Sequence, residues 1–435
     1  MTDTTPSANG TQVAPPSLLE AVRVWARIGV LSFGGPTAQI ALMHKEIVDQ
    51  RGWLTEQQYL NALGFCMLLP GPEAMQLATY AGWRLHGLAG GLAAGLLFVL
   101  PGAVVILGLA MFYAAFASAP LVDAVFLGVQ AAVIIVVIEA LLRISKRALK
   151  GRAAWLIAAA AFLAIFAFGV PYPLIILAAA LAGVLFIAPH DSQDDTGPIP
   201  ATPLMRTGLT VLIWLLIWWG PLLSLTLLDP GGRLFEIGNF FSRLAVVTFG
   251  GAYAVLAYMA QDVVQAYGWL TADEMLVSLG LAETTPGPLI LVTEFVGYLA
   301  AERVGGIWYG VAGAAVALWA TFVPCFLWIF AGAPYIDRIG HMPKLQGALA
   351  GITACVVGVI LNLTLWFALH VFFTEITTGQ AGPIRIPVPD PTSLNPVAAG
   401  LTLLCAVLAF GLHWGIGRIL AVSAALAGVI GWVSL

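Results

Sequence analysis

Charge is what this sequence has least of. Only 9% of its 435 residues are Asp, Glu, Lys or Arg, against roughly 25% in an ordinary soluble domain. Too few charges remain to cover a soluble surface. The formal net charge of -4 comes with no basic patch, so nothing suggests a nucleic acid partner. Cysteine is also scarce: Cys66, Cys325, Cys355 and Cys405 stand singly in apolar segments without CxxC spacing, which fits small packing residues rather than a disulfide framework. The six histidines (His44, His86, His190, His341, His370, His413) lack metal-ligand spacing and HExxH is absent, so no metal or other cofactor is implied. GxxxxGK[ST] is missing too, which excludes ATP use by that route. Any work must draw on gradients or on a partner.

Long apolar runs are what the chain has in abundance. They are Gly87 to Phe116, Leu121 to Leu142, Ala153 to Pro189, Leu209 to Leu228, Val311 to Ala333, Leu349 to Phe373 and Val397 to Leu435. Each matches or exceeds the roughly 20 residues that cross a bilayer core as helix. The alternating ten-residue segments of a membrane β-barrel do not occur. The expected fold is therefore all-α and polytopic, with the lipid bilayer as its solvent. Residues 1–17 are polar, rich in Thr, Ser and Pro, and lack the apolar core of a secretory signal. They read as a disordered cytoplasmic tail.

Compared with itself at a shift of 216 residues, the chain repeats. Phe33-Gly34-Gly35 falls on Phe249-Gly250-Gly251, Gly52-Trp53-Leu54-Thr55 on Gly268-Trp269-Leu270-Thr271, and Pro70-Gly71-Pro72 on Pro286-Gly287-Pro288. Between Arg27 and Pro72, 19 of 46 positions are identical to their partners, without a gap. This divides the chain into residues 18–189, a linker with one unpaired apolar segment (190–234), and residues 235–435. An unpaired crossing inverts whatever follows it. One loop of half one holds Arg143, Lys146, Arg147, Lys150 and Arg152, whereas its equivalent in half two, Thr374 to Asn395, holds only Arg385. By the positive-inside rule the first loop is cytoplasmic and the second extracytoplasmic. About 13 spans result, with the N-terminus inside and the C-terminus outside. Inverted repeats of this kind are common in secondary transporters, whose substrate sits near the midplane at discontinuous helices.

Each half contains two such breaks. Ser32-Phe33-Gly34-Gly35-Pro36 and Pro70-Gly71-Pro72 interrupt half one; Thr248-Phe249-Gly250-Gly251 and Thr284-Thr285-Pro286-Gly287-Pro288 interrupt half two. Proline and glycine stop one helix and start another, and helix starts inside a membrane offer N–H groups and a positive dipole end to an anion. The hydroxyls of Ser32, Thr248, Thr284 and Thr285, and the guanidinium groups of Arg27 and Arg243, are further candidate donors. The plainer alternatives are simple kinks for the breaks and snorkelling for the arginines. Glu73, Glu283 and Glu294 face apolar partners across the repeat (Leu289, Met67 and Ala78), which makes them candidates for proton coupling or for pairing with an arginine. Lys45-Glu46 reads as a solvated face. Gly87, Gly91, Gly95, Gly306 and Gly310 read as close-packing positions, with a homodimer contact as the alternative. A membrane-embedded lipid-modifying enzyme is the rival class. Its nearest acid–base pair would be Glu73 with His86.

The ordered set of FGGP, GWLT and PGP, present once in full and repeated in half two, resembles the chromate ion transporter family in its long, two-domain form. The likeness covers nearly the whole chain and implies a bacterial inner-membrane protein that exports chromate and confers chromate resistance. It implicates Phe33, Gly34, Gly35, Pro36, Pro70, Gly71 and Pro72; in half two Ala252 replaces the first proline. A tetrahedral dianion wants several converging donors. Its exit from a negative-inside cell is favoured by about twice the 2.3 kcal/mol per charge per 100 mV. Sulfate has the same shape and charge, so general oxyanion transport is the alternative.

Overall fold

The computed structural model describes residues 16–117, 119–188, 204–229, 232–249, 252–336, 342–382 and 384–434. Most of the expected tail, the linker from 190 to 203, and both Gly250 and Gly251 lie outside them. The end of that expected tail already serves the first helix: Ser17 caps it, accepting from the Glu20 N–H at 3.3 Å, and Pro16 is buried.

In half one the helices are α1 (Leu18–Leu31), α2 (Gly35–His44), α3 (Glu56–Cys66), α4 (Glu73–Phe116), α5 (Pro120–Ala148), α6 (Arg152–Phe166) and α7 (Tyr172–Phe186). The linking helix is α8 (Leu204–Leu228). Half two runs through α9 (Arg233–Val247), α10 (Ala252–Gln261), α11 (Ala272–Thr284), α12 (Val292–Gly305), α13 (Ile307–Gly332), α14 (Pro343–Phe372), α15 (Pro396–Ala406) and α16 (Ile416–Ser434). Six helices among the described residues are long and apolar enough to cross a bilayer. By contrast α2 and α3, with 10 and 11 residues, reach only about 15 Å at 1.5 Å per residue.

The GWLT motif is a joint. A π-turn ends α2 (Lys45–Asp49) and another ends α10 (Asp262–Ala266). Gly52 and Gly268 then take positive φ of 60° and 62°, which a side chain resists. Trp53 and Trp269 return their N–H groups to Ile47 and Val263, at 2.8 and 2.9 Å. Thr55 and Thr271 close capping boxes with Gln58 and Glu274 at the starts of α3 and α11. Lys45-Glu46 is no solvated face: Lys45 is exposed, but Glu46 is buried and paired with Arg51 at 2.5 Å, because the π-turn rotates it inward.

A third break in each half hides among the glycines that sequence spacing assigns to packing. Helix α4 bends sharply at His86 and Gly87 (φ 60°), and Gly306 (φ 77°) separates α12 from α13. Nothing lies where a Cβ on Gly87 or Gly306 would stand, whereas Gly91, Gly95 and Gly310 do lie against the rings of Phe330, Phe326 and Tyr298. Backbone conformation selects the first two, and close packing selects the others.

The halves interlock. α5 packs on α16, and α14 packs on α7. A Cβ on Gly128 would lie 2.4 Å from the Ser423 carbonyl, and one on Gly351 2.2 Å from that of Ala179. α8 lies against half two through Trp214 on Phe326 and the Trp218 indole, which donates to Ser242 at 3.1 Å. Among the described residues the one sheet is the antiparallel pair β1 (Ile376–Ala381) and β2 (Ile384–Pro389). It occupies the segment read as a loop, where Ile, Thr and Val flank a Gly turn and favour extended backbone.

Candidate functional site

The Ser32 and Thr248 breaks meet the opposite Pro-Gly-Pro turns. Gly287 donates its N–H to the Ser32 carbonyl and Gly71 donates its own to that of Thr248, both at 2.9 Å. Since 32 and 248, like 71 and 287, are repeat partners, this is one contact made twice. Gly71 and Gly287 hold φ of 119° and 90°, a region L side chains rarely enter. Pro72 caps α4 and Pro288 the short turn Leu289–Leu291, while Pro36 enters the first turn of α2 after Gly34 and Gly35, both at positive φ. From sequence, the N–H groups at the breaks are expected to be free donors. At Gly71 and Gly287 they are engaged across the seam.

Hydroxyl groups around the seam are engaged too. Ser32 and Thr248 donate to Ile28 and Leu244, each at 2.6 Å, Thr284 to Leu281 at 2.9 Å and Thr285 to Ala282 at 3.1 Å. Two glutamines unmirrored in the repeat complete the seam. The Gln39 amide donates to Gly287 at 2.6 Å and to Ser32 at 3.2 Å; that of Gln76 donates to Pro70 at 2.7 Å. A polar residue inside an apolar stretch is the signal that could have found them. Arg27 on α1 and Arg243 on α9 are exposed, the latter donating to the Tyr267 hydroxyl at 2.7 Å. Neither joins the seam, because two helical turns carry them away from the break. Phe33 is half exposed beside it.

Next to the seam lies a cavity of about 450 Å³ lined by Pro36, Gly71, Glu73 and Tyr253, with Arg143, Lys146, Arg147 and Lys150 around it. At about 30 Å³ per water, this admits an oxyanion with part of its hydration shell. Glu73 sits in the first turn of α4 and lines this cavity together with Arg147. Behind the wall, Tyr253 donates to the buried carboxylate of Glu283. Glu139 pairs with Arg143 at 2.8 Å. Glu294 is buried away from this cavity with one oxygen lacking a partner among the described residues. Neither Tyr253 nor the basic residues stand out as site residues in sequence: Tyr253 falls where half one has Thr37, and the cations register there only as a topology signal.

Thr353, about three turns into α14, shares this cavity with the last turns of α5. The Asp273 carbonyl accepts from Gln130, in the first half of α5, at 3.4 Å, and Asp273 feels the charges of Asp123, at the start of α5, and His370, near the end of α14, so the two helices run antiparallel and their C-terminal ends point opposite ways. A second cavity of about 570 Å³ surrounds the C-terminal end of α14, lined by Asn362, Trp366, His370, Arg385 of β2, and Gln261 and Gln265 at the end of α10 and beyond it. The nearest acid–base pair for an enzyme, Glu73 with His86, does not form. Glu73 and His86 are separated by about 20 Å of helix at 1.5 Å per residue, and His86 bonds the Pro16 carbonyl at 2.7 Å.

The family model described as Chromate transporter matches residues 19–184 and again 235–432. The chain is 31% identical over 376 residues to the "Chromate transport protein" of Cupriavidus metallidurans, covering 84% of this chain and 86% of that one. It is 30% identical over 430 residues to the "Chromate transport protein" of Pseudomonas aeruginosa (97% and 94%), and 27% over 427 residues to the "Probable chromate transport protein" of Synechococcus elongatus (96% and 96%). No solved structure matches the chain.

Proposed function

Because the chain belongs to the chromate transporter family, and is a multi-pass membrane protein of nearly all-α build, we propose that it exports chromate from the bacterial cytoplasm across the inner membrane and so confers chromate resistance. One observation carries the reading: the cation-lined cavity opens onto the seam where the broken helices of both halves meet. The two halves lie inverted in the bilayer, with the C-terminal end of α5 cytoplasmic and that of α14 extracytoplasmic. The anion enters beside Glu73. It passes when the paired bonds at Gly71 and Gly287 open and release N–H donors to it, and it leaves through the second cavity. Membrane potential favours the exit of a dianion.

Uptake of radiolabelled chromate into inverted membrane vesicles, with excess sulfate as competitor, tests this. Saturable chromate uptake is expected, and its loss to excess sulfate measures how far the site separates the two dianions; uptake of neither anion overturns transport, and uptake of sulfate alone changes the substrate. Proton coupling through Glu73, Glu283 or Glu294 belongs to the same proposal. It predicts that Glu→Gln at the coupling position flattens the pH dependence of uptake, and unchanged profiles in all three variants would sink it.

A further inference from the structure

α5 and α14 align without a gap from Pro120 and Pro343, which sets Glu139 on Asn362, Arg143 on Trp366 and Arg147 on His370. The same helical face lines a cavity in both halves: Ala140, Arg143 and Arg147 in the first, Leu363, Trp366 and His370 in the second. What differs is the chemistry. Arg147 has no hydrogen-bonded partner among the described residues, and Arg143 has only Glu139. In the second cavity, Trp366 and His370 hold their rings 4.3 Å apart, and His370 Nδ1 bonds the Trp366 carbonyl at 2.8 Å. Two fixed charges have become a ring pair.

Resting on the transport reading above, we infer that Arg143 and Arg147 form an outer capture site for a tetrahedral oxyanion dianion, and that the matching place in half two is built for release. Guanidinium groups bind such anions through paired, charge-assisted hydrogen bonds. They sit in the cavity that reaches Gly71 and Glu73, so they can pass a captured anion to the seam. At the other end the anion meets Trp366, Leu363 and Asn362 on α14 and a single guanidinium, Arg385 of β2, against the Arg143, Lys146, Arg147 and Lys150 of the first cavity, and leaves. A lipid phosphate shares the anion's chemistry, and the test separates the two sources.

Purified protein in phosphatidylcholine liposomes, with and without added phosphatidylglycerol, is given chromate or sulfate on either face. Arg143→Gln and Arg147→Gln are expected to raise the half-saturating concentration about tenfold at the face bearing the end of α5 alone, with the maximal rate within about twofold. Arg147→Lys should stay closer to wild type, and His370→Arg should lower the half-saturating concentration at the opposite face. Lys344→Gln, a cation outside the cavity, controls for general surface potential. Unchanged half-saturation in both Gln variants overturns the inference, as does an equal change in Lys344→Gln. An effect seen only with phosphatidylglycerol present assigns the arginines to lipid and overturns it too. Wild-type protein that moves neither anion defeats the transport reading itself, and this inference with it; that outcome is distinct from active wild type with indifferent variants.

Discussion

The two Pro-Gly-Pro turns make the same bond to the opposite half, yet their surroundings differ. The turn at Gly287 lies against the α4 backbone as well as a side chain: its own Cβ would stand 2.9 Å from Leu291 Cδ1 and 3.5 Å from Gly102 Cα, and a Cβ on Gly102 would stand 2.1 Å from the Pro286 carbonyl. The turn at Gly71 lies against side chains, with Cys325 Sγ and Gln76 Nε2 each 2.9 Å from where its own Cβ would be. Gly102 and Cys325 are repeat partners, each following a proline inside a long helix (Pro101 and Pro324). One turn is thus locked against a helix and the other against groups that can shift. Glu73 and Tyr253 also belong to the looser turn's cavity. The duplication kept the bond that joins the halves and let the neighbours diverge, so one side can carry ionisable chemistry while the other supplies a rigid bearing.

Breaking that contrast at its rigid end should have the largest effect. Gly102→Ala forces a methyl group into a carbonyl, and overpacking of this kind costs about 1–3 kcal/mol or more; little monodisperse protein is expected on size-exclusion chromatography. Cys325→Ala, the mirror change, should cost about 1 kcal/mol or less by thermal unfolding in detergent. Equal damage from both would show that the turns are equivalent after all. Tyr253→Phe comes next. It strips the partner from the buried Glu283 carboxylate, a loss of about 1–3 kcal/mol, while Thr37→Val at the exposed mirror position should stay within about 0.5 kcal/mol.

An effect of similar size is expected at the joints. Arg51→Ala leaves Glu46, only 3% exposed, without its ion pair, and should lower thermal stability by about 1–3 kcal/mol; half two has Tyr267 in place of Arg51. The smallest effect is at His44. Its hydrogen bond to Glu56 raises its pKa above the ordinary 6.5 against some desolvation, with Asp49 adding to the rise. A raised pKa means that the protonated form is favoured in the fold. The stabilisation is therefore complete below the ordinary value and is lost as pH climbs through the raised one. Melting temperatures from about pH 6 to about pH 8 should fall slightly more for wild type than for His44→Ala, and parallel curves would dismiss the contribution. Ala260 at the mirror position confines this to half one.

Much is legible in the residues alone. Apolar run length forces helices in a membrane, because backbone groups there must be satisfied within each segment. Gly34, Gly71 and Gly287 announce their breaks, because only glycine holds those dihedrals without strain. Gly87 and Gly306 do not, because glycine also serves packing and spacing cannot separate the two uses. Arg27 and Arg243 mislead for a related reason: a residue two turns from a break lies close in sequence, but the helix decides which way it faces. Arg143 and Arg147 stand out as charges and not as site residues, since nothing local links the end of α5 to the Gly71 turn.

By itself the sequence determined that this is a helical membrane protein with a duplicated, broken-helix core, since those features follow from run length, dihedral preference and self-similarity. Only the tertiary structure decided that the breaks bond to each other across the halves, that Ser32, Thr248, Gly71 and Gly287 are already engaged, and that the cations of α5 share a cavity with Glu73 and Tyr253. Those facts depend on which distant segments touch. Contact between segments is settled by packing of the whole chain, and no local pattern encodes it.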